Sequence, residues 1–189
     1  MKKTVIGLLT FAFLLSAGAC DETAGTTPGK AEIWSAADTV KVLQDKSYDE
    51  KEAAAISVTA VRNEYEGAQI LMTAETDVKS YTVSTASLTS STGKTYAAEN
   101  VEVFNQKYIT VALTTTNSFP SGRYPDALLP FATAAEYGEN SIEAGNNQGV
   151  YFSFYIPKEQ EAGTYTGNFT LTVDGVKNNI PVTLNVVDY

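Results

Sequence analysis

From Gly163 to Val186 the chain alternates apolar and polar residues with a period of two, and this pattern constrains its fold more than any other feature. Successive side chains of a strand point to opposite faces. Tyr165, Phe169, Leu171 and Val173 therefore fall on one side of a strand, with Thr166, Asn168, Thr170 and Thr172 opposite. Asp174-Gly175 is a pair favoured in two-residue hairpin turns, where both central positions take positive φ. Beyond the turn, Val176, Ile180, Val182, Leu184 and Val186 form the inner set against Lys177, Asn179, Thr183 and Asn185. The turn and the burial pattern demand the same register, and a slip of one residue would put the whole apolar set in water.

Similar alternation marks strands over 39–43, 55–61, 67–74, 81–88, 101–113 and 150–156, with a turn at Ser90-Ser91-Thr92-Gly93. From Ala31 onward no stretch sustains a helical stripe for three turns. The expected fold is all-β, an antiparallel two-sheet β-sandwich with one long irregular loop. Thr114 to Gly149 is that loop. It holds Asn117, Pro120, Gly122, Pro125, Pro130, Gly138 and Gly145, with room for a short helix from Phe131 to Tyr137. Val150 to Ile156 is apolar on both faces, so this strand must be central in the sandwich or covered on its outer side, for example by a second domain.

The N-terminus reads as an address. Lys2 and Lys3 precede an apolar run from Val5 to Leu15, too short to cross a bilayer but suited to a signal peptide. Ser16-Ala17-Gly18-Ala19-Cys20 resembles the bacterial lipoprotein box, with Ala17 where leucine is usual, and predicts lipidation at Cys20. The alternative is an ordinary secretory signal cut near Ala19. Residues 1–19 are thus the signal, 20–30 a flexible tether and 31–189 the sandwich domain. The expected location is extracytoplasmic, anchored by lipid to a bacterial membrane or cell surface. Cleavage would move the formal charge from −9 to −11, since Lys2 and Lys3 leave and no acid does.

Composition excludes several chemistries. The absence of histidine removes His-based triads and His metal sites, and one cysteine removes thiolate zinc clusters and internal disulfides. An acidic surface lacks the basic footprint of a nucleic-acid binder. No metal site and no cofactor are expected. Glu64 and Glu66 lie one strand repeat apart, roughly 7 Å between Cα atoms, but read more simply as a turn and strand start. Asp45, Asp49, Glu50 and Glu52 lack the alternation and glycine of a dedicated calcium loop. Asn168-Phe169-Thr170 matches a glycosylation sequon, which a bacterial lipoprotein would not use. No catalytic residue is assigned. The candidate interdomain or glycan contacts are Arg123, Tyr124, Pro125, Asp126 and Tyr151, with Trp34 and Tyr137 as further rings that could stack on a sugar. Arg123 to Asp126 combines an ion pair, a ring and a rigid turn, and is either a self-packed loop or a docking surface.

Three segments together resemble the N-terminal β-sandwich domain of glycoside hydrolase family 123. They are Val61-Arg62-Asn63-Glu64-Tyr65-Glu66-Gly67-Ala68-Gln69, Gly122-Arg123-Tyr124-Pro125-Asp126-Ala127-Leu128-Leu129-Pro130, and Tyr155 to Gly167 with its Pro157 and Gly163-Thr164-Tyr165-Thr166-Gly167. The resemblance implies a sandwich that precedes a (β/α)8 catalytic barrel. It also implies hydrolysis of β-linked N-acetylgalactosamine through an Asp-Glu pair in the barrel. Val186 to Tyr189 stand where the linker into that barrel would begin, so the pair has no position here and Glu64 and Glu66 inherit no role. The expectation is a fragment of a longer enzyme or a sandwich standing alone. Functionally, that means a lipid-anchored, non-catalytic accessory sandwich of a surface glycoside hydrolase, its barrel covering Phe152, Tyr151 and the Arg123–Pro130 segment; alternatively, a stand-alone surface carbohydrate-binding module. The expected partners are a membrane through the anchor, a catalytic barrel and a glycan.

Overall fold

The computed structural model describes residues 28–112 and 120–188. Twelve strands, one 3-10 turn and one short helix build two sheets. The strands are β1 (Ala31–Ala36), β2 (Glu52–Ala53), β3 (Ile56–Val61), β4 (Tyr65–Ala74), β5 (Tyr81–Ser84), β6 (Leu88–Ser90), β7 (Thr95–Tyr96), β8 (Val101–Val111), β9 (Gly122–Pro130), β10 (Asn147–Tyr155), β11 (Gly163–Val173) and β12 (Val176–Val187), with α1 (Phe131–Glu136) between β9 and β10. The first sheet runs β2-β1-β4-β10-β8-β9. The second runs β3-β12-β11-β6-β7, with β5 also on β11. The expected sandwich is what forms, antiparallel except where β3 lies parallel to β12.

The β11–β12 hairpin keeps the register read from its alternation, from Gly163 opposite Val186 to Val173 opposite Val176. Asp174 and Gly175 have φ of 44° and 85°, the left-handed pair that a type I′ turn requires. Tyr165, Phe169, Leu171, Ile180, Val182 and Leu184 are buried. Val176 is not part of the inner set as expected: beside the turn it is 51% exposed, and the apolar face begins at Ile180. Opposite this hairpin, Ile70, Met72, Val150, Phe152 and Phe154 close the core. Phe169 joins the layers, 5.6 Å from Phe152 and 6.1 Å from Phe154 between ring centroids, within the range where aromatic pairs attract. Phe152 is therefore an interior residue, unavailable to a neighbouring domain.

Two segments depart from expectation. Residues 39–43 form no strand. They belong to an irregular stretch that lies on the outer face of the first sheet, where Val42 packs with Trp34 and Leu71 and is flanked by Val40 and Tyr48. The span 114–149 is more regular than its prolines suggested, since it contains β9, α1 and the start of β10. β9 is an edge strand, and an edge strand can hold Pro125 and Pro130 because one row of its N–H groups has no ladder partner to lose. The helix lies where expected. Residues 113–119 and the N-terminal stretch carrying Cys20 lie outside the described residues.

The last residues of the expected tether are tied down. The Asp174 carboxylate accepts backbone N–H bonds from Gly29 at 2.7 Å, Ser80 at 2.8 Å and Lys79 at 3.2 Å. Partial burial works to raise its pKa, but the three N–H groups and the Lys79 charge outweigh it and hold the carboxyl below its usual range. A depressed carboxyl contributes stability above its unfolded pKa and loses it as pH falls through the folded value. Asp174→Asn, which keeps the turn geometry, is expected to destabilise the domain by about 1 kcal/mol at neutral pH, a figure discounted for partial exposure. Thermal unfolding followed from pH 7 into acid should show the gap to wild type closing below the ordinary aspartate pKa of about 3.9. A gap that stayed constant would remove the carboxylate from this account.

Candidate functional site

Tyr151 sits mid-strand on β10 with its side chain on the outer face of the first sheet. The register aligns it with Gln69 of β4 on one side and Phe104 of β8 on the other, and Phe104 in turn with Pro130 of β9. Its ring leans over Gly67, where any Cβ would collide with the phenol oxygen and come within 2.8 Å of the Asp38 carboxylate. A side chain at residue 67 would force the Tyr151 phenol and the Asp38 carboxylate to shift. Burial raises the Tyr151 pKa, and the negative charges of Asp38 and Glu66 raise it further.

Arg123, Tyr124, Pro125 and Asp126 lie elsewhere. Arg123 pairs with Thr110, six residues along β8 from the Phe104 beside Tyr151, roughly 20 Å at strand spacing. The structure does not bring the four together with Tyr151. It does explain what they do locally. The Arg123 carbonyl accepts the Gln44 N–H at 2.9 Å, and the Tyr124 hydroxyl donates to the Pro120 carbonyl at 2.7 Å. The buried Pro125 presents its carbonyl to Lys41 Nζ at 3.1 Å, with Asp126 at 3.9 Å from the same ammonium. The expected Arg123–Asp126 ion pair is replaced by Lys41–Asp126. The ladder skips Asp126, since Pro125 faces Tyr108 and Ala127 faces Lys107, and at this bulge its carboxylate turns to Lys41.

Of the other rings, Trp34 is 2% exposed and unavailable to a sugar. It stacks on Tyr48 at 5.4 Å, donates its indole N–H to Thr73 Oγ1 at 2.9 Å and carries Lys51 Nζ 5.2 Å above its ring. Tyr137, just past α1, is exposed. Glu64 accepts the Val61 backbone N–H and so closes the β3–β4 turn, in which Asn63 has φ of 63°. Asp45 lies 4.0 Å from Lys46, and Glu50 accepts from the Tyr48 hydroxyl at 3.5 Å. Among the described residues no three acidic or sulfur side chains gather around a cation-sized space.

An open groove of about 460 Å³ runs beside the paired strands β1 and β4, lined by Ser35, Asp38, Glu52, Ser57, Gly67 and Gln69 among others. The Tyr151 hydroxyl, over Gly67 and near Asp38, stands at its end. Sequence reasoning missed a second feature, a set of buried amides in the first sheet: Gln69, Asn105, Gln106, Asn147 and Gln148. The adjacent pairs Asn105-Gln106 and Asn147-Gln148, each inside or at the end of an apolar strand pattern, were the available signal. Asn147 has a clear task. Its Nδ2 donates to the Leu43 and Lys46 carbonyls at 2.8 and 2.7 Å, and its Oδ1 accepts from Thr73 Oγ1 at 2.7 Å, so it fastens the covering segment to β4 and β10.

Residues 36–173 match the model of the glycoside hydrolase 123 N-terminal domain. Among solved structures the chain is similar to a family 123 glycoside hydrolase from Clostridium perfringens, reported in connection with glycolipid glycan hydrolysis, with a TM-score of 0.70 and 16% identity. That likeness covers 85% of this chain and 28% of the other, so this chain spans little more than a quarter of that enzyme's length. It is also similar to the Yersinia enterocolitica fimbrial subunit MyfA in complex with galactose, at 12% identity and a TM-score of 0.35, and to the Salmonella SafD adhesin, at 11% and 0.38. Each of those covers 84% of this chain and 99% of the other. No curated protein matches. With most of its length matched to one family and the same fold as a family 123 enzyme over its body, this chain belongs to the glycoside hydrolase 123 N-terminal domain family.

Proposed function

We propose that this chain is a lipid-anchored, non-catalytic accessory sandwich of a surface glycoside hydrolase, holding a catalytic barrel in place. Family membership carries the reading, since the family 123 enzyme that shares this fold devotes most of its length to something other than the sandwich. The layout of the described chain supports it. Gly29, on the side leading back to Cys20, is bound by Asp174 at the hairpin pole. Val187 pairs with Val61, and Asp188 pairs with Arg62, at the opposite pole. The twelve residues of β12 separate these poles by roughly 36 Å. A domain following Asp188 would stand at the pole opposite Gly29. At that same pole Tyr65, 65% exposed, leans on Tyr155 with ring centroids 4.8 Å apart, an apolar surface suited to an adjoining domain.

Attachment would rest on the acyl chains alone. More than one chain anchors stably where a single chain is marginal, and a surface of charge −11 after cleavage would be repelled by anionic headgroups. The groove beside Tyr151 favours a second reading, a stand-alone surface carbohydrate-binding module, because it sets two carboxylates and a phenol along a cleft wide enough for a sugar.

Three outcomes are expected. The chain by itself does not hydrolyse aryl β-N-acetylgalactosaminides in a chromogenic assay; turnover abolished by Glu64→Gln would reject the accessory reading. In a bacterial host Cys20→Ser moves the protein from the membrane fraction to the soluble one and ends labelling by radioactive palmitate, whereas unchanged fractionation would refute lipidation at Cys20. Calorimetry against a glycan panel separates the two readings: binding lost about tenfold or more on Tyr151→Ala favours the module, and flat isotherms favour the accessory domain.

A further inference from the structure

The two sheets guard their edges differently. β9, at one end of the first sheet, carries Pro125 and Pro130, and proline on an edge discourages a further strand. β3, at one end of the second, reads Ile56-Ser57-Val58-Thr59-Ala60-Val61, with neither proline nor charge. Its one ladder among the described residues is the parallel one with β12. The Val61 N–H is donated to the Glu64 carboxylate, so it points away from β12. Backbone groups alternate sides along a strand, so the N–H and C=O groups of Thr59 and Ser57 also point to the open side. Those of Val58 and Ala60 are turned to β12.

A second free edge borders the same space. β1 pairs with β4 only from Gln69 to Ala74, while β10 follows β4 as far as Tyr65. Tyr65 to Ala68 are thus left without a strand on the β1 side among the described residues. The groove beside β1 and β4 lies between the two edges, touching Ile56 and Ser57 on one and Gly67 and Ala68 on the other. Ala36, Ala37, Ala53 and Ala55 complete much of its wall, and such small side chains let another backbone come within hydrogen-bonding distance. Asp38 and Glu52 are the charged residues of its lining, and neither joins an ion pair among the described residues.

We propose that the open edge of β3 takes up an extended peptide with basic side chains, which adds a strand to the second sheet. A free strand edge recognises backbone, because its donors and acceptors repeat at the spacing of another strand. A sugar has no such repeat. Charge then selects among strands. A second copy of this chain, with a formal charge of −9, would bring the same carboxylates to the shared edge, whereas lysine or arginine side chains would meet Asp38 and Glu52 with opposite charge. This inference does not depend on the accessory reading, and it gives the groove an occupant other than the glycan of the module reading.

The test is hydrogen exchange on the full ¹⁵N-labelled chain with a short capped peptide of alternating lysine and threonine. The peptide is expected to slow exchange of the Ser57 and Thr59 amides saturably and to leave those of Val58 and Ala60 unchanged. The same peptide N-methylated along its backbone is expected to protect neither. Thr59→Pro removes a donor that the β12 ladder does not use, so the chain should fold and lose about tenfold in affinity. Asp38→Asn and Glu52→Gln should each weaken binding about threefold at low salt. No protection at millimolar peptide, equal protection by the methylated peptide, or full affinity in Thr59→Pro would overturn the proposal. Protection that appears on concentrating the chain alone, with a doubled mass in light scattering, would overturn it in favour of a second copy. Shifts at Gly67 and Gln69 with a methyl pyranoside and none with the peptide would overturn it in favour of a sugar.

Discussion

The first half of β10 has no face left for water. Val150, Phe152 and Phe154 are sealed against the second sheet, while Asn147 and Gly149 on the other side are just as buried. A strand in that position forces the sheet around it to be covered twice. One cover is the β11–β12 hairpin. The other is the irregular stretch after β1, which brings Val42 and Tyr48 to Trp34 and is fastened by the Asn147 amide. Each cover removes apolar surface from water, the dominant favourable term in folding.

This double cover also decides where polar groups end up. An irregular segment lying on a sheet brings unpaired carbonyls with it, and these must be met from below. Asn147 meets those of Leu43 and Lys46, and Gln69 meets those of Ala37 and Val40. The buried amides of the first sheet are thus largely a consequence of covering it with non-repetitive backbone rather than with another sheet.

The surface follows a different logic. The groove beside β1 and β4 and the Tyr65–Tyr155 pair lie on different parts of the molecule, one beside Asp38 and Glu52, the other at the pole where β12 ends. Neither uses Arg123 to Asp126, which serve to hold β9 and the covering stretch together through Gln44 and Lys41. The family-like motif in that segment therefore has a structural explanation of its own.

The amino-acid sequence by itself determined the β11–β12 hairpin, the turn at Asp174-Gly175, the short helix after Pro130 and the sandwich class, because alternation and turn chemistry are local and each residue states its own side. It also carried the family resemblance in contiguous segments. It did not determine that Thr39 to Leu43 would be a cover rather than a strand, that β9 would exist despite two prolines, or that Trp34 would be buried. Those outcomes depend on which strands become neighbours. An edge position excuses a proline, and a covering segment hides a tryptophan. Two amide pairs far apart in the chain meet only when β4, β8 and β10 lie side by side. Pairing partners are chosen by the packing of the whole core, and no window of local sequence contains that information.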